Sequence, residues 1–142
     1  MMLWLPYALL SAVFAALVSI FGKIGLKDLD ANSATALRAV IMALFLLGVV
    51  AVQGKFGQVG EIFAQRKALA FVAMSGAAGA LSWLFYFLAL KAGTVSQVGP
   101  VDKLSVVFAI VLALLFLGEK ITVWNGVGVL MITAGVILTS LK

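Results

Sequence analysis

The chain has 142 residues, 65% of them hydrophobic and only 11% charged, with a mean hydropathy of +1.25, whereas soluble domains carry roughly 25% charged residues; this is the composition of a membrane protein. It contains no cysteine and no histidine, which removes disulfides, thiolate or imidazole metal sites and Ser-His-Asp chemistry, and with them the expectation of an enzyme, a bound metal or a cofactor. The net charge of +5 comes from cations set between apolar runs rather than gathered into a basic patch, so nucleic acid is not an expected partner.

A bilayer core takes about 20 apolar residues per helix, and five runs qualify, at about 3–21, 35–52, 67–90, 96–117 and 121–141. Residues 1–142 therefore read as a single domain, an all-α integral membrane protein built as a bundle of five transmembrane helices. The first run has no basic segment before it and no small-residue cleavage site after it, so it is expected to be a retained span and not a signal peptide. It carries Ser11, Ala15 and Ser19 at four-residue spacing, a stripe of small residues that would let a neighbouring helix approach. The connector "GKIGLKDLDANS" follows, and "DANSAT" offers Asn32 or Ser33 as the N-cap of the second span. Arg38 stands about one turn inside that span.

The connector "QGKFGQVGEIFAQRK" leads to the third span, where Ser75, Gly79, Ser82 and Tyr86 fall on one stripe and "MSGAAGALSW" offers small-residue packing pairs. Ser82, Trp83 and Tyr86 read either as ordinary interhelical packing or as a substrate wall. After "KAGTVSQVGP" comes the fourth span, with Pro100 expected in its first turn, where a missing N–H costs little. Asp102, Lys103 and Ser105 follow at the same end. Gly118 stands where a C′ glycine belongs, and "GEK" is the tight turn into the fifth span, whose Gly128 and Gly135 share a face. Trp4, Tyr7, Tyr86 and Trp124 lie near span ends, as interfacial anchors do. With short connectors, successive helices are expected to be antiparallel neighbours.

Antiparallel alternation brings Lys23, Arg38, Asp102 and Lys103 to one membrane level. Ionised groups at membrane depth are costly and mark either a cavity or a satisfied pair. In the first reading Arg38 and Lys103 attract an anionic or polar group into a hydrated cavity, with Asp102 holding them or titrating. In the second, Asp102 neutralises Arg38 while Lys23 and Lys103 snorkel to the headgroups. Five spans put the termini on opposite sides, and the cations divide almost evenly: Lys55, Arg66, Lys67 and Lys120 on one face, Lys23, Lys27, Lys91 and Lys142 on the other. With Arg38 and Lys103 just inside the second face, the score is four against four, or four against six if they count; so weak a bias under the positive-inside rule leads to the expectation of a homodimer of oppositely inserted copies, which would reproduce the inverted repeats of many transporters.

The segments "ALRAVIMALFLL", "LSWLFYFLALKAGTVSQVGPVDKLSVVFAIVLALLFLGEKIT" and "NGVGVLMITAGVIL", in this order and spacing, resemble the EamA domain of the drug/metabolite transporter superfamily in its short, five-span form. The resemblance covers nearly the whole chain. It implies a multi-pass permease of a bacterial or archaeal inner (plasma) membrane, one half of that superfamily's inverted repeat, that exports or exchanges a small polar or amphipathic metabolite or drug by alternating access. It also implies a central cavity lined by the first, third and fourth helices, with Trp83, Tyr86, Asp102 and Ser105 among its residues. The related four-span multidrug exporters hold a glutamate in the middle of their first helix; this chain has no acid there, so proton-coupled export of lipophilic cations by that device is not expected. The competing reading is a non-transporting membrane subunit, such as a partner in a lipid-carrier flippase complex.

Overall fold

The computed structural model describes residues 4–140. Every described element is helical, as lipid requires: without water to take up main-chain N–H and C=O groups, an isolated segment satisfies them only by coiling on itself. Five helices are long and apolar enough to cross a membrane, namely Trp4–Gly25, Ala31–Val52, Arg66–Ala92, Val95–Leu117 and Val123–Ser140. The expected span ends at Leu3 and Leu141, and the cation Lys142, lie outside the described residues.

The chain falls into two units. Of the described residues, one comprises those up to 23 and those from 92 onward and holds α1 (Trp4–Gly25), α5 (Val95–Asp102), α6 (Leu104–Leu112), a π turn (Ala113–Leu117) and α7 (Val123–Ser140). Within it α7 packs along α5 and α6. The Lys23 ammonium donates to the Gly93 carbonyl at 2.6 Å, so this cation ties the end of α1 to the connector before α5. Thr94 opens α5: its N–H donates to Gln97 Oε1 at 3.1 Å and its hydroxyl to the same oxygen at 3.0 Å.

Pro100 therefore lies inside α5, not in the first turn as the sequence suggests, because the helix starts five residues before it at the Thr94 cap and not at the apolar run. The proline has no N–H to give and its ring crowds the preceding turn. The helical ladder tightens just after it, with the Lys103 N–H on the Pro100 carbonyl at 3.0 Å and the Val106 N–H on the Lys103 carbonyl at 3.1 Å. The fourth span is thus a broken helix with its break at Lys103. At its other end Gly118 takes φ +66°, ψ 23° and its N–H returns to the Ala113 carbonyl, a left-handed stop that glycine makes without a Cβ clash. In α7 the hydroxyls of Thr133, Thr139 and Ser140 donate to main-chain carbonyls of the preceding turn, which removes polar hydrogens from the lipid-facing surface.

The second unit, residues 24–91, holds α2 (Ala31–Val52), α3 (Phe56–Ala64) and α4 (Arg66–Ala92). Asp30 caps α2: its Oδ2 accepts the Ser33 N–H at 2.8 Å and the Ser33 hydroxyl at 2.9 Å. The cap is thus Asp30, not Asn32 or Ser33, and α2 begins four residues before the expected Thr35. The buried Thr35 hydroxyl donates to the Ala31 carbonyl at 2.7 Å. Lys91, in the last turn of α4, donates to the Leu26 carbonyl at 2.9 Å and to the Leu29 carbonyl. Leu26, Ala31, Phe87 and Leu90 are buried at this same end of the unit. Part of the connector "QGKFGQVGEIFAQRK" folds as α3, an amphipathic helix of about two and a half turns introduced by Gly54 at φ +66°.

Candidate functional site

Between α2 and α4, inside the second unit, lies an open cleft of about 690 Å³, within the roughly 300–1,000 Å³ range of small-molecule sites. On α2 its wall includes Thr35, Arg38, Ala39, Met42 and Leu46; on α4 it includes Gly76, Gly79, Ala80, Trp83 and Leu84. Both sets follow the three- and four-residue steps of a single helix face. Within each unit a Cβ added at Gly76, Gly79, Gly128 or Gly135 would meet nothing within 4 Å. The expected packing glycines therefore border open space within their own units, and on α4 that space is the cleft.

Arg38 is the one charged residue on the wall. It sits about 10 Å along the axis from the start of α2, and its guanidinium carbon stands 3.8 Å from the centroid of the Trp83 ring and 5.2 Å from that of Phe87. A cation over aromatic faces gains about 0.5–1 kcal/mol when exposed and about 2 kcal/mol or more when desolvated; the half-buried Arg38 lies between those limits. The rings brace one another: Trp83 meets Tyr86 edge-on at 5.6 Å and 87°, and meets Phe87 at 6.0 Å and 64°. This fixes the plane on which the guanidinium lies. Arg38, Trp83 and Tyr86 are thus brought together, whereas Ser82 is exposed and absent from the wall. Phe87, a member of the cluster, is a residue that sequence reasoning missed. Its signal was its position four residues after Trp83, one helical turn on.

In the other unit Lys103 Nζ donates to Asp102 Oδ2 at 3.2 Å, with the Lys103 side chain 57% and the Asp102 side chain 34% exposed. A pair this open contributes about 0–1 kcal/mol. It occupies the break between α5 and α6, where a helix has main-chain groups to spare, and Ser105 is exposed beside it. The structure thus gives Asp102 a lysine partner and Arg38 an aromatic one. Ser11 and Ser75 are exposed and Ala15 half-buried, while the Ser19 hydroxyl donates to the Ala15 carbonyl at 3.0 Å. No group of three or more acidic residues able to hold a metal ion occurs among the described residues.

A family model described as the EamA-like transporter family matches residues 2–141 of the chain. A curated protein of Sinorhizobium sp, named "Uncharacterized transporter in cobO 3'region", is 42% identical over 135 residues, which is 95% of this chain and 94% of that protein. No solved structure matches the chain.

Proposed function

Since the chain belongs to the EamA-like transporter family, and is thus a multi-pass membrane transporter, we propose that it moves a small polar or amphipathic metabolite or drug by secondary transport, exporting or exchanging it without chemical conversion. The observation that carries this reading is the α2–α4 cleft, roomy enough for a small molecule and cut into two helices long enough to span a bilayer. A purely structural anchor gains nothing from such a cleft, or from a guanidinium set on its wall. No phosphate-binding loop of the G-x-x-x-x-G-K type occurs in the sequence, so the driving force in this reading is a solute or ion gradient, not ATP.

Alternating access needs two arrangements of a bundle around one site. In this reading the homodimer supplies them, each copy contributing one cleft, with the copies inserted in opposite senses in the inner (plasma) membrane of a bacterial-type cell. Vesicles reconstituted with the purified protein and screened with a panel of labelled metabolites should show saturable, protein-dependent flux of at least one small solute. A panel that crosses no faster than in empty vesicles, with the protein folded and present in both orientations, would sink the transport reading.

A further inference from the structure

We infer that the Arg38–Trp83 corner of the cleft is an oxyanion subsite, and that the cargo class is an amphipathic anion: a carboxylate, sulfonate or phosphate head on an apolar body. This rests on the transport reading for its purpose but not for its chemistry. The guanidinium is planar, with five N–H donors around its edge and none on its face. Trp83 and Phe87 take the face. Among the described residues, no side chain or carbonyl of the unit accepts a hydrogen bond from the edge. The acids of this unit are Asp28, Asp30 and Glu61. None is on the cleft wall, and Asp30 is engaged by Ser33. A stacked guanidinium with its fork left open is the arrangement that receives a planar oxyanion through two parallel N–H···O bonds.

The rest of the wall decides the remainder of the ligand. The polar lining residues Asn32 and Thr35 precede Arg38 on α2, at the head end, while Ala39, Met42, Leu46, Gly79 and Ala80 continue from Arg38 the other way along the cleft, so a molecule held by its head at Arg38 and extending that way lays carbon, not hydroxyls, against the walls. The same arrangement discriminates against cations. An organic cation needs an acid or a bare aromatic face; the wall has no acid, and the Trp83 face is already covered by a positive group. Charge sign, more than shape, therefore sorts ligands at this corner.

The test uses the intact protein in phosphatidylcholine nanodiscs. Trp83 is one of three tryptophans, so Trp4→Phe combined with Trp124→Phe leaves it as the sole indole reporter of the corner. The probes are 2-naphthoate, its neutral carboxamide and 2-naphthylmethylammonium, which share one apolar body and differ in charge. Saturable change in Trp83 fluorescence with 2-naphthoate is expected, at least tenfold tighter than with either analogue. Arg38→Gln should erase that preference and Arg38→Lys restore part of it. Equal affinity for the three probes in the unsubstituted corner overturns the inference without any reliance on a folded Arg38 variant, and so does an Arg38→Gln protein of native helicity that still prefers the anion. Repeating the titration with phosphatidylglycerol in the disc separates the two sources of such an anion: competition assigns the corner to a lipid headgroup, and its absence to a free carboxylate. Anion-selective binding without flux of 2-naphthoate would defeat the transport reading alone, and flux of a neutral solute without anion-selective binding would defeat this inference alone.

Discussion

At the scale of single residues, the charged groups divide by what they touch. Lys23 and Lys91 each end a helix and donate to carbonyls of a nearby connector, an arrangement that favours a cation at the negative end of a helix dipole. Asp30 does the reverse at the start of α2. The Ser33 N–H, then the Ser33 hydroxyl, hold its carboxyl below the usual carboxylate range, against a smaller opposing effect of desolvation. A depressed folded-state pKa means that the cap stabilises the protein fully above the ordinary value of about 3.9 and loses that contribution as the pH falls through the lower, folded-state value. Detergent-solubilised protein should accordingly show an apparent Tm that declines on acidification below about pH 4. Asp30→Asn, which keeps a capping oxygen but cannot titrate, should flatten the part of that decline due to this site. An identical acid profile in the variant would show that the cap contributes nothing to it.

At the scale of elements, the spans were legible because apolar length alone marks them, and their ends were less so because ends are set by polar detail. Apolar onset puts the start of α2 late, at Thr35, although Asp30 and Ser33 already carry the capping chemistry. Thr94 and Gln97, three apart, likewise announced α5 ahead of its apolar stretch. Hydropathy does not mark the helix α3, because Gly57, Gly60 and the glutamines Gln58 and Gln65 interrupt its apolar residues. Its apolar Phe56, Val59 and Phe63 nevertheless keep the helical period, and the rings of Phe56 and Phe63 are exposed. Of the site, Arg38, Trp83 and Tyr86 stood out as polar or amphipathic groups in an apolar run. Phe87 did not, since one phenylalanine among many lipid-facing ones carries no signal, and the partner of Arg38 depends on the rotation of α2 about its axis, which hydropathy does not encode. The open face of α4 leads to a test of the cleft itself. Gly79 borders empty space at an ordinary φ, so Gly79→Leu should insert and fold normally while its side chain fills the cleft. Flux should drop by about tenfold or more, the equivalent of about 1.4 kcal/mol, with helicity by circular dichroism unchanged; undiminished flux would place the substrate path elsewhere.

At the scale of the whole molecule, the decisive quantity is the sign of insertion. Five spans leave the second and fourth connectors on one face and the first and third on the other. Orientation follows the excess of Lys and Arg on short cytoplasmic loops, and here Lys55, Arg66, Lys67 and Lys120 stand against Lys23, Lys27, Lys91 and Lys142, four against four, or four against six where Arg38 and Lys103, just inside the second face, are counted. The bonds of Lys23 and Lys91 to connector carbonyls hold two of these cations at helix ends without removing their charge, so both still count. So small a bias gives the two orientations similar free energies, and both should be populated. The absence of cysteine makes this directly measurable: a single cysteine introduced at Gln58, on α3, should be labelled by a membrane-impermeant maleimide in about half of the copies on intact spheroplasts. A cysteine at Asp28, on the opposite face, should behave the same way. Adding Gln65→Arg to the Gln58→Cys protein should turn that connector toward the cytoplasm and lower its labelling, because one extra cation then shifts a narrow balance. Complete labelling at one of the two positions and none at the other would mean a single orientation, and would remove the antiparallel dimer as the source of the inverted pair that alternating access needs.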